Sequence, residues 1–320
     1  PLTLFTILML ASTMYTPSPK YGSLKTFSFL AFNWGMFLLP FWGLRSWAQQ
    51  KRMTVSLSVI ATLVSIYSIA ILLKGVIGGD IIHSYRASFL GINPISFANW
   101  VGIIVVVLIV HFPIIKNRLL KVALVVSIIL MTVAMFAANS RGPMLSFVLT
   151  LGIFFISRLR YMKARNVVLL GLSGIILIVL LFSVLPEQVT SRYVDLFGGG
   201  SDAVSKTASQ YTINTRIFAW EAGINTALES VRNLLIGIGV GGFSNIFYGL
   251  DVRLYPHNMI IEIFCELGLV GVLLMFWHLK LVFYKVFLTL QNVNNKKQQV
   301  LSAYFFGAIF LFISAQFSGD

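Results

Sequence analysis

The feature that most restricts this chain is a succession of long apolar runs, almost free of charge and close to the roughly 20 residues a helix needs to cross a bilayer core. They lie at Leu2 to Tyr15, Thr26 to Gly43, Met53 to Leu73, Phe97 to Ile115, Val122 to Asn139, Pro143 to Ser157, Asn166 to Leu185, His257 to Leu279 and Gln298 to Phe317. The runs are continuous and do not alternate with period two, which argues against an outer-membrane barrel. The predicted fold class is therefore all-α: a polytopic helical membrane protein of about nine transmembrane helices, forming a single transmembrane domain over residues 1–320. A hydrophobic content of 58%, with only 11% charged residues, excludes a water-soluble enzyme and a disordered tail. Cys265 is the single cysteine, so no internal disulfide framework exists.

Charge placement supplies the orientation. Four connections carry Arg45, Lys51 and Arg52; Lys116, Arg118 and Lys121; Arg158, Arg160, Lys163 and Arg165; and Lys280, Lys285, Lys296 and Lys297, without a carboxylate among them. All ten acids fall on the opposite side or just inside a helix entered from it. By the positive-inside rule the four basic connections are cytoplasmic. The formal charge of +14 then follows from topology and gives no reason to invoke nucleic acid. The first residue is Pro1 and not Met, so the native start is absent and a signal peptide cannot be judged, and the last run stops abruptly at Ser318-Gly319-Asp320, which leaves room for missing helices.

One external connection, residues 186–256, is far longer than the rest, and long structured loops commonly carry function. Within it, Gly198 to Ser201 and Ser205 to Ser209 read as flexible. Asn214 to Arg232 reads as an amphipathic helix capped at Asn214 or Thr215, with the apolar stripe Ile217, Trp220, Ile224, Leu228 and Val231. Such a helix lies on the membrane surface or packs over the bundle. The glycine-rich run Gly237 to Gly242 lacks the flanking strand and later acid of a dinucleotide loop, so its glycines serve tight turning and close approach. No phosphate-binding loop, zinc helix or Asp-x-Asp pair occurs, so neither a cofactor nor a metal is predicted.

Four ionisable residues on the external face suit a phosphorylated substrate: Arg141, Arg216, Arg253 and His257. Arg141, in Asn139-Ser140-Arg141-Gly142-Pro143, also fits an interfacial arginine that snorkels to headgroups. Arg216 lies four residues before Trp220, on one helix face; a guanidinium offers a planar fork of donors matched to phosphate. His257 follows Pro256 and opens a span, with Asn258 beside it and Glu262 and Glu266 at helical spacing. Imidazole can take a proton at ambient pH, and carboxylates entering a membrane helix require partners.

In this order the motifs resemble the O-antigen ligase and polymerase superfamily of integral membrane glycosyltransferases. The residues carrying the resemblance are Ser140-Arg141-Gly142, then Thr215-Arg216-Ile217-Phe218-Ala219-Trp220, then Gly237-Ile238-Gly239-Val240-Gly241-Gly242-Phe243, and last Pro256-His257-Asn258-Met259-Ile260-Ile261-Glu262 with Glu266-Leu267-Gly268. The match is strongest from about Asn139 to Gly271.

The resemblance implies an inverting transfer of a glycan from undecaprenyl pyrophosphate to a sugar hydroxyl, without nucleotide or metal. It implies catalytic roles for His257, which activates the acceptor hydroxyl, and for Arg216 at the pyrophosphate. Arg141, Ser140, Trp220, Arg253, Asn258, Glu262 and Glu266 are the expected substrate-binding residues. The expected partners are the lipid-linked glycan, a saccharide acceptor and membrane lipids, with a chain-length regulator as a further candidate. The expected location is the bacterial cytoplasmic (inner) membrane, with the site facing the periplasm or exterior. Among family activities, repeat-unit polymerisation is favoured over ligation to a lipid core, because the external cations are scattered among acids. A lipid-linked sugar transporter is the alternative from another class, disfavoured because ionisable residues, apart from Glu266, keep to the ends of spans.

Overall fold

The computed structural model describes residues 1–36, 38, 46–78, 87–159, 179, 183, 203–292 and 295–318. The run predicted at Asn166 to Leu185 falls almost wholly outside these residues, as do Gly198 to Ser201 and the last part of the run at Thr26 to Gly43. The described elements are helical: α1 (Leu2–Ser12), α2 (Pro19–Ser28) running into a π-helical turn (Phe29–Trp34), α3 (Trp47–Gly78), α4 (Pro94–His111), α5 (Arg118–Ala137), α6 (Arg141–Arg158), α7 (Ala203–Leu228), α8 (Val231–Ile236), α9 (Gly242–Tyr248), α10 (Met259–Asn292) and α11 (Asn295–Ser318). Among the described residues, five helices are long and apolar enough to cross a membrane: Ala48–Gly75, Pro94–His111, Arg118–Ala137, Met259–Leu290 and Lys297–Phe317. The protein is an all-α polytopic membrane protein.

Local chemistry sets the helix ends. The Asn93 side chain accepts from the Ile95 amide at 2.9 Å and Pro94 occupies the first turn, so α4 starts there. Asn117 caps α5 in the same way through the Leu120 amide. The first run is shorter than predicted. Ser12 and Thr13 turn their hydroxyls back onto the carbonyls of Met9 and Leu10, and Pro17 and Pro19 follow, so the described α1 has 11 residues. That is about 16 Å of helix, roughly half a bilayer core. At the other extreme, α10 continues to Asn292, because no Gly or Pro occurs after Gly271, and Lys280 and Lys285 lie on the helix instead of in a loop.

The chain divides into two compact units. One comprises Val55–Gln210 and Val293–Ser314. Its core is apolar, with Phe97, Val101, Val105, Met131, Met135 and Phe310 fully buried as α4 packs against α5 and α6.

The other unit comprises Pro1–Thr54, Tyr211–Asn292 and Ala315–Asp320, and it contains nearly all the polar chemistry described below. Here α10 is broken once, at Gly268, whose φ of 64° interrupts the helix. The break frees carbonyls that the glycine-rich run takes up: the amides of Ile238 and Gly239 donate to the carbonyls of Cys265 and Glu266 at 3.0 and 2.9 Å. Gly237 and Gly268 make that approach possible. A Cβ on Gly237 would collide with the backbone of Glu266 and Leu267, and one on Gly268 with that of Leu235 and Ile236.

The helix predicted from Asn214 begins earlier, at Ala203, so Asn214 and Thr215 lie inside α7 and the segment Ser205 to Ser209 is helical. Its buried face also differs from the predicted stripe. Ala219, Gly223 and Ala227 are buried, whereas Ile217, Ile224 and Leu228 are exposed. Small residues let α7 press against α10, where a Cβ on Gly223 would stand 2.9 Å from a methyl of Ile261.

Candidate functional site

The site is built around the turn that opens α10. His257 adopts a left-handed φ of 58°, uncommon for non-glycine residues although His, like Asn and Asp, tolerates it better than most, and its ring packs edge-on against Tyr255 with centroids 4.7 Å apart. Three contacts hold the turn. The Trp220 indole donates to the Pro256 carbonyl at 2.8 Å, Asn258 Oδ1 accepts from the Ile261 amide at 3.0 Å as the helix cap, and Asn258 Nδ2 donates to the Gln316 carbonyl at 3.3 Å. Trp220 therefore ties the loop helix α7 to the residue before His257. Four residues earlier on α7, Arg216 Nη1 donates to the Phe317 carbonyl at 3.0 Å. The end of α11 thus receives bonds from both α7 and the α10 turn.

One turn into α10, Glu262 and Glu266 converge on Lys25 of α2. Lys25 Nζ bonds Glu262 Oε1 and lies 2.6 Å from Glu266 Oε2. The Glu266 side chain is 3% exposed, that of Glu262 12%. Burial works against the Lys25 charge, but the adjacent Glu262 and Glu266 carboxylates outweigh it and hold the ammonium above its ordinary pKa. The α2 helix is itself anchored, since Asp251 accepts from the amides of Lys20 and Tyr21 at 3.0 and 2.8 Å.

Beside this cluster lies a cavity of about 510 Å³ lined by Arg253, Tyr255, Lys25 and Glu262, with Met9, Leu24, Phe29 and Phe32 forming its apolar side. Phe29 and Phe32 come from the π-helical turn, a rare conformation that is frequent at functional sites. Of the predicted residues, then, His257, Trp220, Asn258, Glu262, Glu266, Arg216 and Arg253 belong to one compact unit. Ser140 and Arg141 belong to the other, where buried Ser140 precedes the first residue of α6 and follows Asn139 at a φ of 52°.

Sequence reasoning missed Lys25, Tyr255 and Asp251. The signal for Lys25 was present in Glu262 and Glu266, two carboxylates inside an apolar span that demanded a cation on the same side of the membrane, at the edge of another span. For Tyr255 and Asp251 no pattern was available.

The fold defines the chain as an all-α polytopic membrane protein, and one of its units gathers a histidine, arginines and paired carboxylates around the opening of α10. In comparison with known families, residues 126–276 match the O-antigen ligase family, and the chain resembles the O-antigen ligase and polymerase superfamily over that segment. The matched segment runs from the middle of α5 through Arg141, Arg216, the glycine-rich run and His257 into α10. No curated protein matches the chain.

Proposed function

We propose that this protein is an inverting membrane glycosyltransferase that polymerises undecaprenyl-pyrophosphate-linked repeat units on the external face of the bacterial cytoplasmic membrane. The observation that carries the reading is the His257 turn, strapped to the Arg216-bearing helix through Trp220, within the segment that matches the family. An acceptor hydroxyl attacks the anomeric carbon of the donor glycan from the face opposite the leaving group. A new C–O bond forms, the bond between that carbon and the pyrophosphate oxygen breaks, and the lipid pyrophosphate departs with the bonding electrons. His257 takes the hydroxyl proton, and Arg216 stabilises the departing negative charge. Arg253, Trp220, Asn258 and the two glutamates bind and orient the substrates. The donor carries its own activation, so no nucleotide or metal is needed.

The polymerase is favoured over the ligase because the external cations are scattered among acids. Arg232 stacks on the Tyr15 ring at 4.7 Å, so it adds nothing to a basic cluster of the kind that would dock a multiply phosphorylated lipid core.

The test is a reaction of purified protein with a lipid-pyrophosphate-linked repeat unit supplied alone, products resolved by length beside His257→Ala. A ladder that vanishes in the variant, with unfolding temperature retained, is the expected result. Transfer only after a lipid-core acceptor is added would make the protein a ligase. Absence of transfer with either acceptor would leave the transporter reading in its place.

A further inference from the structure

The cavity beside His257 has the wrong charge for a pyrophosphate. Its two cations, Lys25 and Arg253, stand with two carboxylates: Glu262 in the lining, and Glu266 behind it on the same ammonium. Lys25 is already bound to both acids, so a polyanion would have to displace a carboxylate and leave it buried without its counter-ion, a severe penalty in a low-dielectric site. What the lining offers instead suits an uncharged, polyhydroxylated ligand. A carboxylate, a guanidinium and the Asn33 amide provide planar acceptors and donors for hydroxyl groups, and the Tyr255 ring provides a flat apolar face for the C–H side of a sugar. At about 510 Å³ the cavity falls in the range of small-ligand pockets, about 300–1,000 Å³.

Position points the same way. Tyr255 belongs to the lining, and its ring lies edge-on to His257 at 4.7 Å, so a sugar resting on Tyr255 comes next to the imidazole that takes a proton from the attacking hydroxyl. On the proposed function, the group delivered to that base is the acceptor.

We propose that this cavity is the acceptor-saccharide subsite. Glu262 Oε2 accepts from a sugar hydroxyl, Arg253 and Asn33 donate to others, and Tyr255 sets the sugar against His257. Lys25 is a positioning residue: by holding Oε1 of Glu262 it aims the other carboxylate oxygen into the cavity. The apolar side contributed by Phe29 and Phe32 packs on the remaining face of the sugar. On the proposed function the donor pyrophosphate is held by Arg216, which is not part of the cavity lining. This assignment rests on the glycosyltransferase reading and adds to it the side of the reaction the cavity serves.

The experiment uses the full chain in detergent, with the lipid-pyrophosphate-linked repeat unit as donor. The acceptor probe is an octyl glycoside of the same repeat unit, which has a hydroxyl to offer but no pyrophosphate and so cannot donate. KM for donor and for probe are measured separately in wild type, Glu262→Gln, Lys25→Arg and Lys25→Met. Glu262→Gln keeps the Lys25 to Glu266 bond and is expected to fold; it should raise the probe KM by about tenfold, the effect of weakening one charge-assisted hydrogen bond, with donor KM within about twofold of wild type. Lys25→Arg, which keeps the counter-ion, should restore most of the probe affinity relative to Lys25→Met. An unchanged probe KM in Glu262→Gln overturns the proposal, and so does a rise in donor KM alone, which would make the cavity a donor site. Probe binding without donor, followed by saturation-transfer NMR, separates the two readings. If wild type transfers nothing yet binds the probe, and Glu262→Gln does not, the activity is wrong and the saccharide site stands. If wild type neither binds the probe nor uses it, the site falls.

Discussion

Lys25 Nζ and Glu266 Oε2 lie 2.6 Å apart although 241 positions separate them in the chain. With Glu262 on the same ammonium, the contact joins α2 to the first turns of α10 and holds that helix where His257 opens it. Removing one member of such a buried group leaves the others uncompensated, which destabilises by about 3–5 kcal/mol, whereas replacing all members by neutral groups is far milder. Lys25→Met is therefore expected to lower the unfolding temperature in detergent markedly, and Lys25→Arg only slightly. The triple variant Lys25→Met, Glu262→Gln and Glu266→Gln should recover most of the loss. Equal unfolding temperatures for Lys25→Met and wild type would remove the triad from the stability of the fold.

The break in α10 yields a second prediction. Gly268→Ala and Gly237→Ala each place a methyl against backbone at a positive φ, so both the left-handed penalty and a collision arise. Neither variant should yield folded protein by size exclusion in detergent. Gly249→Ala has a φ of 68° but open space around it, so only the conformational penalty of about 1–2 kcal/mol applies and the variant should fold. Folded, active Gly268→Ala would show that the close approach is dispensable.

The same segment shows how far the sequence was legible. The helical class and most of the long runs follow from hydropathy alone, because a bilayer forces backbone bonding into helices. The opening of a span after Pro256 was legible too, since Pro and polar residues precede an apolar run there, but the capping role of Asn258 was not. What stayed hidden depends on pairing at long range. The partner of Glu262 and Glu266 is set by how α2 meets α10, and the buried face of α7 is set by Ala219, Gly223 and Ala227, whose small size outweighs the larger apolar stripe when helices press together. Nor does periodicity reveal the π-helical turn at Phe29–Trp34 that brings Phe29 and Phe32 to the cavity.

Arg216 gives a third prediction. Lysine can keep a bond to the Phe317 carbonyl but replaces a two-pronged donor by a point charge, and a pyrophosphate leaving group is best held by the fork. Arg216→Lys should lower kcat/KM by about tenfold or more, equivalent to roughly 1.4 kcal/mol of transition-state stabilisation. Arg232→Lys, where the guanidinium stacks on Tyr15, should change activity little. Wild-type kinetics in Arg216→Lys would take Arg216 out of the leaving-group role.

Orientation is testable with single added cysteines, because the thiol the chain already has is silent. Cys265 is fully buried, so it will not react with a membrane-impermeant maleimide applied to intact spheroplasts, and single cysteines can be added without deleting it. Glu229, at the exposed end of the loop region after α7, and Lys116, exposed between α4 and α5, lie on opposite faces if the basic connections are cytoplasmic. Glu229→Cys should label from outside, and Lys116→Cys only after the membrane is permeabilised. The reverse pattern would turn His257 toward the cytoplasm. Nucleotide sugars are available there, so a lipid-pyrophosphate donor would lose its rationale and the proposed reaction would fall with the topology.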